Sequence, residues 1–340
     1  MPIQIGFEND SLTGKRPCMI LAGDIGATKC NLALFRFDGK DLSVIKESKY
    51  FTKDYSDPVT MISRFPGASK LPDNMSFGVA GPVQNGKVKI TNLSWKIDSK
   101  EISIKFGNIP VHFINDLEAT AYGLAALEKD DVYTIYEGAK GHAGNMALIA
   151  PGTGLGEAGL FWDGTVYHPF ATKGGHCDFA PRTKLDVELY LHLQEKFNHV
   201  SWERLISGPG IFNIYEFLKT KKSREVPPWL AEKILAQDAA TVISENAENA
   251  SICEETMNFF FRYLATESAN LALKVKATGG IFIGGGIIPK VLKLLDADLF
   301  LKCFRDFGRL KYLLQEISVN VILNERTALL GAAYYGTSTK

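Results

Sequence analysis

The feature that most constrains this chain is a pattern that occurs twice. Leu21–Phe35 and Leu148–Phe161 each consist of an apolar run, a turn of small residues and a second apolar run. In the first, Cys18–Ala22 leads into Gly23-Asp24-Ile25-Gly26-Ala27-Thr28-Lys29, and Asn31–Phe37 follows. In the second, Met146–Ala150 leads into Pro151-Gly152-Thr153-Gly154-Leu155-Gly156-Glu157, and Ala158–Trp162 follows. Short apolar runs joined by Gly-bearing turns read as strand hairpins. One hairpin opening each half predicts an internal duplication. Length agrees, because 340 residues at roughly 150 per domain allow two domains.

Composition narrows the class. Hydrophobic residues make up 46% and charged residues 22%, enough apolar surface to offset the ordering entropy of a folded chain. Five cysteines, Cys18, Cys30, Cys177, Cys253 and Cys303, are too few and too widely spaced for a disulfide framework or a zinc site, which points to a reducing compartment. Lys plus Arg and Asp plus Glu balance at 38 each, so no global field favours nucleic acid or an anionic membrane. Met1–Arg16 has no apolar h-region, and nowhere do about 18 apolar residues run together. The expectation is a cytoplasmic globular protein that binds neither nucleic acid nor membrane.

Between and beyond the hairpins, strands and helices alternate. Met75–Val79 reads as a buried strand stopped by Gly81-Pro82. Val111–Ile114 reads as another, feeding Asn115-Asp116 at the cap of a helix that carries Leu117, Ala121, Leu124 and Leu127. A long helical stripe runs through Met257, Phe260, Phe261, Leu264 and Leu271, with Gly279-Gly280 expected to end it. Ile281–Ile283 is then a short strand, and Gly284-Gly285-Gly286 leads to a helix from about Pro289.

Five segments can carry chemistry. Around Gly26-Ala27-Thr28 small residues let backbone N–H groups face phosphate oxygens, and Asp24 beside them can hold a hydrated magnesium ion. The alternative is a tight turn whose Asp bonds its own backbone. Gly154, Gly156 and Gly159 match GxGxxG, but a hairpin composition follows where the dinucleotide fold needs a helix, so a second phosphate-contacting turn at Gly152-Thr153-Gly154 or a plain turn remains. Asn115-Asp116 is either an N-cap or a carboxylate poised as general base, which a helix N-terminus keeps ionised. His176 beside Asp178 is a ligand-binding pair or a structural donor. Gly284-Gly285-Gly286 admits a flat ligand such as adenine, or simply close helix packing.

Taken in order, Leu21–Phe35, Phe77–Pro82, Asn92–Trp95, Phe113–Gly123, Ala147–Leu160, Gly174–Pro181, Val200–Gly210, Gly279–Pro289 and Asn324–Gly336 resemble the bacterial-type glucokinase family of the hexokinase–actin superfamily. The resemblance implies an α/β protein of two RNase H-like domains around a central cleft. Residues 1–17 would be a tail, 18–114 plus about 326–340 a small domain, and 115–325 a large one. It implies ATP and Mg2+, transfer of a phosphoryl group to the 6-hydroxyl of glucose, and a homodimer. By the same resemblance Asp24, Gly26, Ala27 and Thr28 form the first phosphate loop, with Asp24 on Mg2+ through water. Gly152, Thr153 and Gly154 form the second, and Gly284, Gly285 and Gly286 the adenosine-side loop. Asn115, Asp116, His176 and Glu203 are sugar ligands, with Asp116 the catalytic base.

Two departures from the family pattern matter. Ala27 and Lys29 stand where Gly and Asn are common, and Lys173 stands where a Glu that accepts from the sugar is usual. A Lys has three donors and no acceptor, so Lys173 either meets the sugar with reversed polarity, turns to solvent, or pairs with Glu203 and withdraws it. The alternatives this opens are a kinase for another hexose and a sugar-binding protein with impaired turnover.

Overall fold

The computed structural model describes residues 3–6, 16–68, 72–90, 95–139 and 143–338. Most of the expected tail lies outside them, as do Asn92, Leu93 and Ser94. Within residues 3–6, Ile5 is buried and bridges Tyr167, so that stretch is part of the fold rather than a loose end.

The chain divides into two units. The first comprises Met1–Asp131, Leu160–Ala171 and Asn324–Lys340, and the second Val132–Gly159 and Thr172–Leu323. The first unit thus extends past the boundary expected after residue 114, because the helix Asp116–Gly123 packs with the C-terminal helix Thr327–Gly336.

In the first unit a five-stranded sheet has the order Leu42–Phe51, Lys29–Phe37, Cys18–Ile25, Asn74–Val79, Val111–Asn115. The first three are antiparallel and the last two join in parallel. Asn74–Val79 is buried at every position, as expected of a parallel strand covered on both faces. Alternation along Cys18–Ile25 sends Leu21 and Ile25 into one core with Phe77, Trp95 and Phe113, and Ile20 and Ala22 into another with Leu329, Ala332 and Ala333 of the C-terminal helix. That helix and Asp116–Gly123 meet at glycines: a Cβ on Gly331 would overlap the Ala119 carbonyl, and one on Gly123 the Thr327 carbonyl.

In the second unit the strand order is Leu155–Trp162, Met146–Pro151, Gly280–Ile283, Val319–Ile322, Val132–Tyr136, the last three residues of Leu155–Trp162 falling in the first unit. Met146–Pro151, Gly280–Ile283 and Val319–Ile322 are parallel, and Val132–Tyr136 closes the edge antiparallel. In both sheets the first strand of a hairpin is central, flanked by its hairpin partner and by a parallel strand. This repeat is the duplicated α/β, RNase H-like architecture expected from the sequence.

Helices fill the long crossover before Gly280–Ile283, among them Gly208–Thr220 and Ser251–Val275. The latter buries Met257, Phe260, Phe261, Leu264 and Leu271, the expected stripe. It stops earlier than Gly279-Gly280, because Lys276 adopts the left-handed conformation at φ 52° and caps it. The helix expected from Pro289 is a single turn, Ile288–Val291. No helix among the described residues is long and apolar enough to cross a membrane.

Candidate active site

In the first unit the strands run further than their composition suggests. Asp24 pairs with Asn31 and Ile25 with Cys30, so Asp24 lies on the strand and the turn shrinks to Gly26–Thr28. The Gly26 N–H closes it on the Lys29 carbonyl at 3.0 Å. Thr52 holds its other side, donating its hydroxyl to the Ala27 carbonyl at 2.6 Å and its N–H to the Thr28 carbonyl at 3.1 Å. The N–H groups this turn can offer a ligand are those of Ala27 and Thr28, together with the exposed Thr28 hydroxyl.

Asp24 is level with Gly78, and Val79 with Asn115. Asp24, Asn115 and Asp116 therefore gather at the carboxyl ends of the parallel strands, the usual ligand end of such sheets. Asn115 is the N-cap: its Oδ1 accepts from the Leu117 N–H at 3.1 Å, and its Nδ2 donates to the Gly81 carbonyl at 3.3 Å. Asp116 is the first helical residue, and its Oδ1 accepts from the same Leu117 N–H at 3.0 Å. Burial, and next the Asp116 charge, push Asp24 up to about 7.

In the second unit the turn again spans three residues, Gly152–Gly154, with the Gly152 N–H donating to the Gly154 carbonyl at 2.8 Å. The Gly208 N–H, opening a helix capped by Ser207, donates to the Gly152 carbonyl at 2.9 Å. Gly285, at φ 84°, sits against the Pro151 carbonyl where a Cβ would not fit, and the Gly284 N–H donates to the Ile149 carbonyl at 2.8 Å. The triple-glycine loop thus lies beside the Gly152–Gly154 turn.

Glu203 joins that turn to the histidine. Its Oε2 accepts from the Leu155 N–H at 2.9 Å, and its Oε1 stands 3.9 Å from His176 Nδ1. His176 ends a 3₁₀ turn, Gly174–His176, stitched to the Glu203 segment by Trp202 N–H to the Cys177 carbonyl at 3.1 Å. Lys173 is exposed. Of the three alternatives for it, pairing with Glu203 is not what forms, because the Glu203 oxygens are turned to Leu155 and His176.

A carboxylate pair such as Asp24 and Asp116, in which the Asp116 charge raises the proton affinity of Asp24, suits a hydrated Mg2+, which binds through one or two carboxylates, water and substrate phosphates. No group of three or more acidic, His or Cys side chains forms a dedicated metal cage among the described residues. Sequence reasoning missed Glu157 and Glu267, buried behind Gly174, and the half-exposed Lys274 that pairs with Glu267. The available signal was a charged residue inside the apolar strand Leu155–Trp162.

Residues 21–339 match the glucokinase family model. The glucokinase of Trichormus variabilis is 36% identical over 334 residues, covering 93% of this chain and 98% of the relative. That of Caulobacter vibrioides is 34% identical over 318 residues, covering 92% and 93%. Among solved structures, a glucokinase from an Antarctic psychrotroph superposes with a TM-score of 0.79 at 29% identity, covering 93% of this chain and 98% of its own. The glucokinase of Balamuthia mandrillaris, solved with glucose, shares the fold at a TM-score of 0.77 and 21% identity, covering 97% and 96%. A model matched across nearly the whole length, and relatives above a third identical over almost all of both chains, settle the kinship: the chain belongs to the glucokinase family.

Proposed function

We propose that this chain phosphorylates the 6-hydroxyl of glucose with ATP and that Asp116 is the general base. The observation that carries the reading is the placement of Asp116 in the first turn of a helix that Asn115 caps. A helix N-terminus favours the ionised carboxylate, the form able to accept a proton.

In the reaction the sugar oxygen attacks the γ-phosphorus in line. The new O–P bond forms as the bond to the β-phosphate oxygen breaks, ADP leaves, and the hydroxyl proton passes to Asp116. Asn115, His176 and Glu203 hold sugar hydroxyls. The Ala27, Thr28, Thr153 and Gly154 N–H groups face phosphate oxygens, and Gly284–Gly286 border the adenosine. Mg2+ held through water by Asp24 supplies neutralisation of the triphosphate charge when bound. Positioning and electrostatics do most of the work.

The exposed Lys173 leaves His176 and Glu203 uncommitted to it, which supports a working kinase over an impaired sugar binder. ADP release measured against a panel of hexoses tests the reading: turnover with glucose above mannose, fructose and N-acetylated amino sugars is expected, and no turnover with any hexose overturns it. A homodimer in the cytoplasm is part of the same proposal, and sedimentation velocity checks the assembly.

A further inference from the structure

Behind the Gly174–His176 turn two buried carboxylates and a half-exposed lysine form a charged cluster with an odd proton count. Glu157 is 1% exposed and Glu267 is fully buried. Both Glu267 oxygens accept from donors on their own helix, Oε1 from Lys274 Nζ at 3.1 Å and Oε2 from Asn270 Nδ2 at 2.7 Å. The Glu157 side chain also hydrogen-bonds Glu267, and Glu157 Oε1 is buried with no partner. Two ionised carboxylates cannot hydrogen-bond each other, since each only accepts. One of them carries a proton. Glu267, already accepting twice and paired with an ammonium, is the anion, and Glu157 is the acid that donates. The cluster is then neutral overall: Glu157 uncharged, Glu267 negative, Lys274 positive.

The sugar turn rests on the same residue. The Thr172 N–H and hydroxyl both donate to the Glu157 carbonyl, at 3.2 and 2.9 Å, and the Gly174 N–H donates to Thr172 Oγ1 at 3.1 Å. Gly174 presses so closely on Glu157 Oε2 that a Cβ there would overlap it.

We propose that Glu157, kept neutral by the proton it donates to Glu267, is a positioning residue that sets the Gly174–His176 turn against Glu203, so that glucose affinity depends on that proton. The proposal rests on reading His176 as a sugar ligand. Loss of the proton would leave one uncompensated negative charge in the interior, which burial strongly disfavours. Its relief is displacement of Glu157 from beneath Gly174. Burial, then the Glu267 charge, push the Glu157 carboxyl up, with Lys274 opposing; the other titratable group beside Lys274 is Cys177.

The test is the glucose and ATP KM of the full chain from neutral to alkaline pH, for wild type, Glu157→Gln, Glu157→Leu and His176→Ala. The Gln amide donates as the acid does but cannot ionise. Expected are an alkaline rise in wild-type glucose KM of about tenfold, equivalent to about 1.4 kcal/mol, and a flat profile for Glu157→Gln from a near-wild-type neutral value. Glu157→Leu should raise glucose KM at every pH, with ATP KM unchanged throughout. A Gln variant that keeps the alkaline rise, or that matches Leu at neutral pH, overturns the proposal. A second readout needs no sugar and covers a Leu variant that fails to fold. Wild-type Tm should fall as pH rises from the ordinary carboxylate range until the folded-state proton is lost, and the Gln variant, which keeps only the Asp24 share, should fall less steeply. Equal slopes overturn the proposal. If His176→Ala leaves glucose KM unchanged, the sugar-ligand reading fails, and the proposal with it, whatever the Tm slopes show.

Discussion

Glu203 faces His176, with Oε1 3.9 Å from Nδ1, while its other oxygen holds the Leu155 N–H at 2.9 Å. One carboxylate thereby spans a proposed sugar ligand and a proposed phosphate turn. Glu203→Ala should raise KM for both glucose and ATP, since it removes the sugar contact and leaves the Leu155 N–H unpaired at a cost of about 1–3 kcal/mol. Glu203→Gln keeps an acceptor for Leu155, so its ATP KM should stay near wild type while glucose KM rises. Steady-state kinetics with each substrate varied in turn check the split; equal effects of both variants on both substrates would break the assignment.

Asp116→Asn separates base from cap. The cap is Asn115, so the substitution should not lower Tm. It should lower kcat by about 10²–10⁴, the usual share of general-base catalysis. Rapid-quench measurement of glucose phosphate, beside a thermal melt, decides it. Near-normal turnover would remove Asp116 as the base.

Asp24 carries a pH prediction. Held at about 7 by burial and by the Asp116 charge, it binds a proton more tightly folded than unfolded. Its contribution to stability is therefore full at acid pH and lost as pH rises from the ordinary Asp range, about 4, to about 7. Without Mg2+ the wild-type Tm should fall across this window, and Asp24→Asn should flatten that part of the curve. In activity the sign is opposite: the anion that would hold Mg2+ fills as pH rises, so ATP KM should worsen below about 7. Asp116→Asn removes one cause of the shift and should move that limb to lower pH.

Lys173→Glu tests the departure from the family pattern. Lys173 is exposed and Glu203 is engaged elsewhere, so the missing acceptor is the expected defect. A restored charge-assisted hydrogen bond is worth about 1.5–3 kcal/mol. Glucose KM should drop at least several-fold with ATP KM nearly unchanged. Unaltered or weaker glucose affinity would show that Lys173 is not an impaired sugar ligand.

Local chemistry made much of this protein legible. Alternating apolar residues around small-residue turns specify both hairpins through the two-residue period of a strand, and Asn115-Asp116 announces a helix start through its capping chemistry. The apolar stripe from Met257 to Leu271 declares its helix. All of these depend on neighbours within a few residues. Tertiary structure decided the rest. Sheet pairing with Asn31 placed Asp24 on a strand instead of in the turn. The packing of Asp116–Gly123 on the C-terminal helix, permitted by Gly123 and Gly331, drew Asn115 and Asp116 into the first unit. Glu203 and Leu155 are 48 residues apart, and Glu157 meets Glu267 only across the core. No periodicity records such pairs, because the burial that makes them strong exists only once the sheets and helices have assembled.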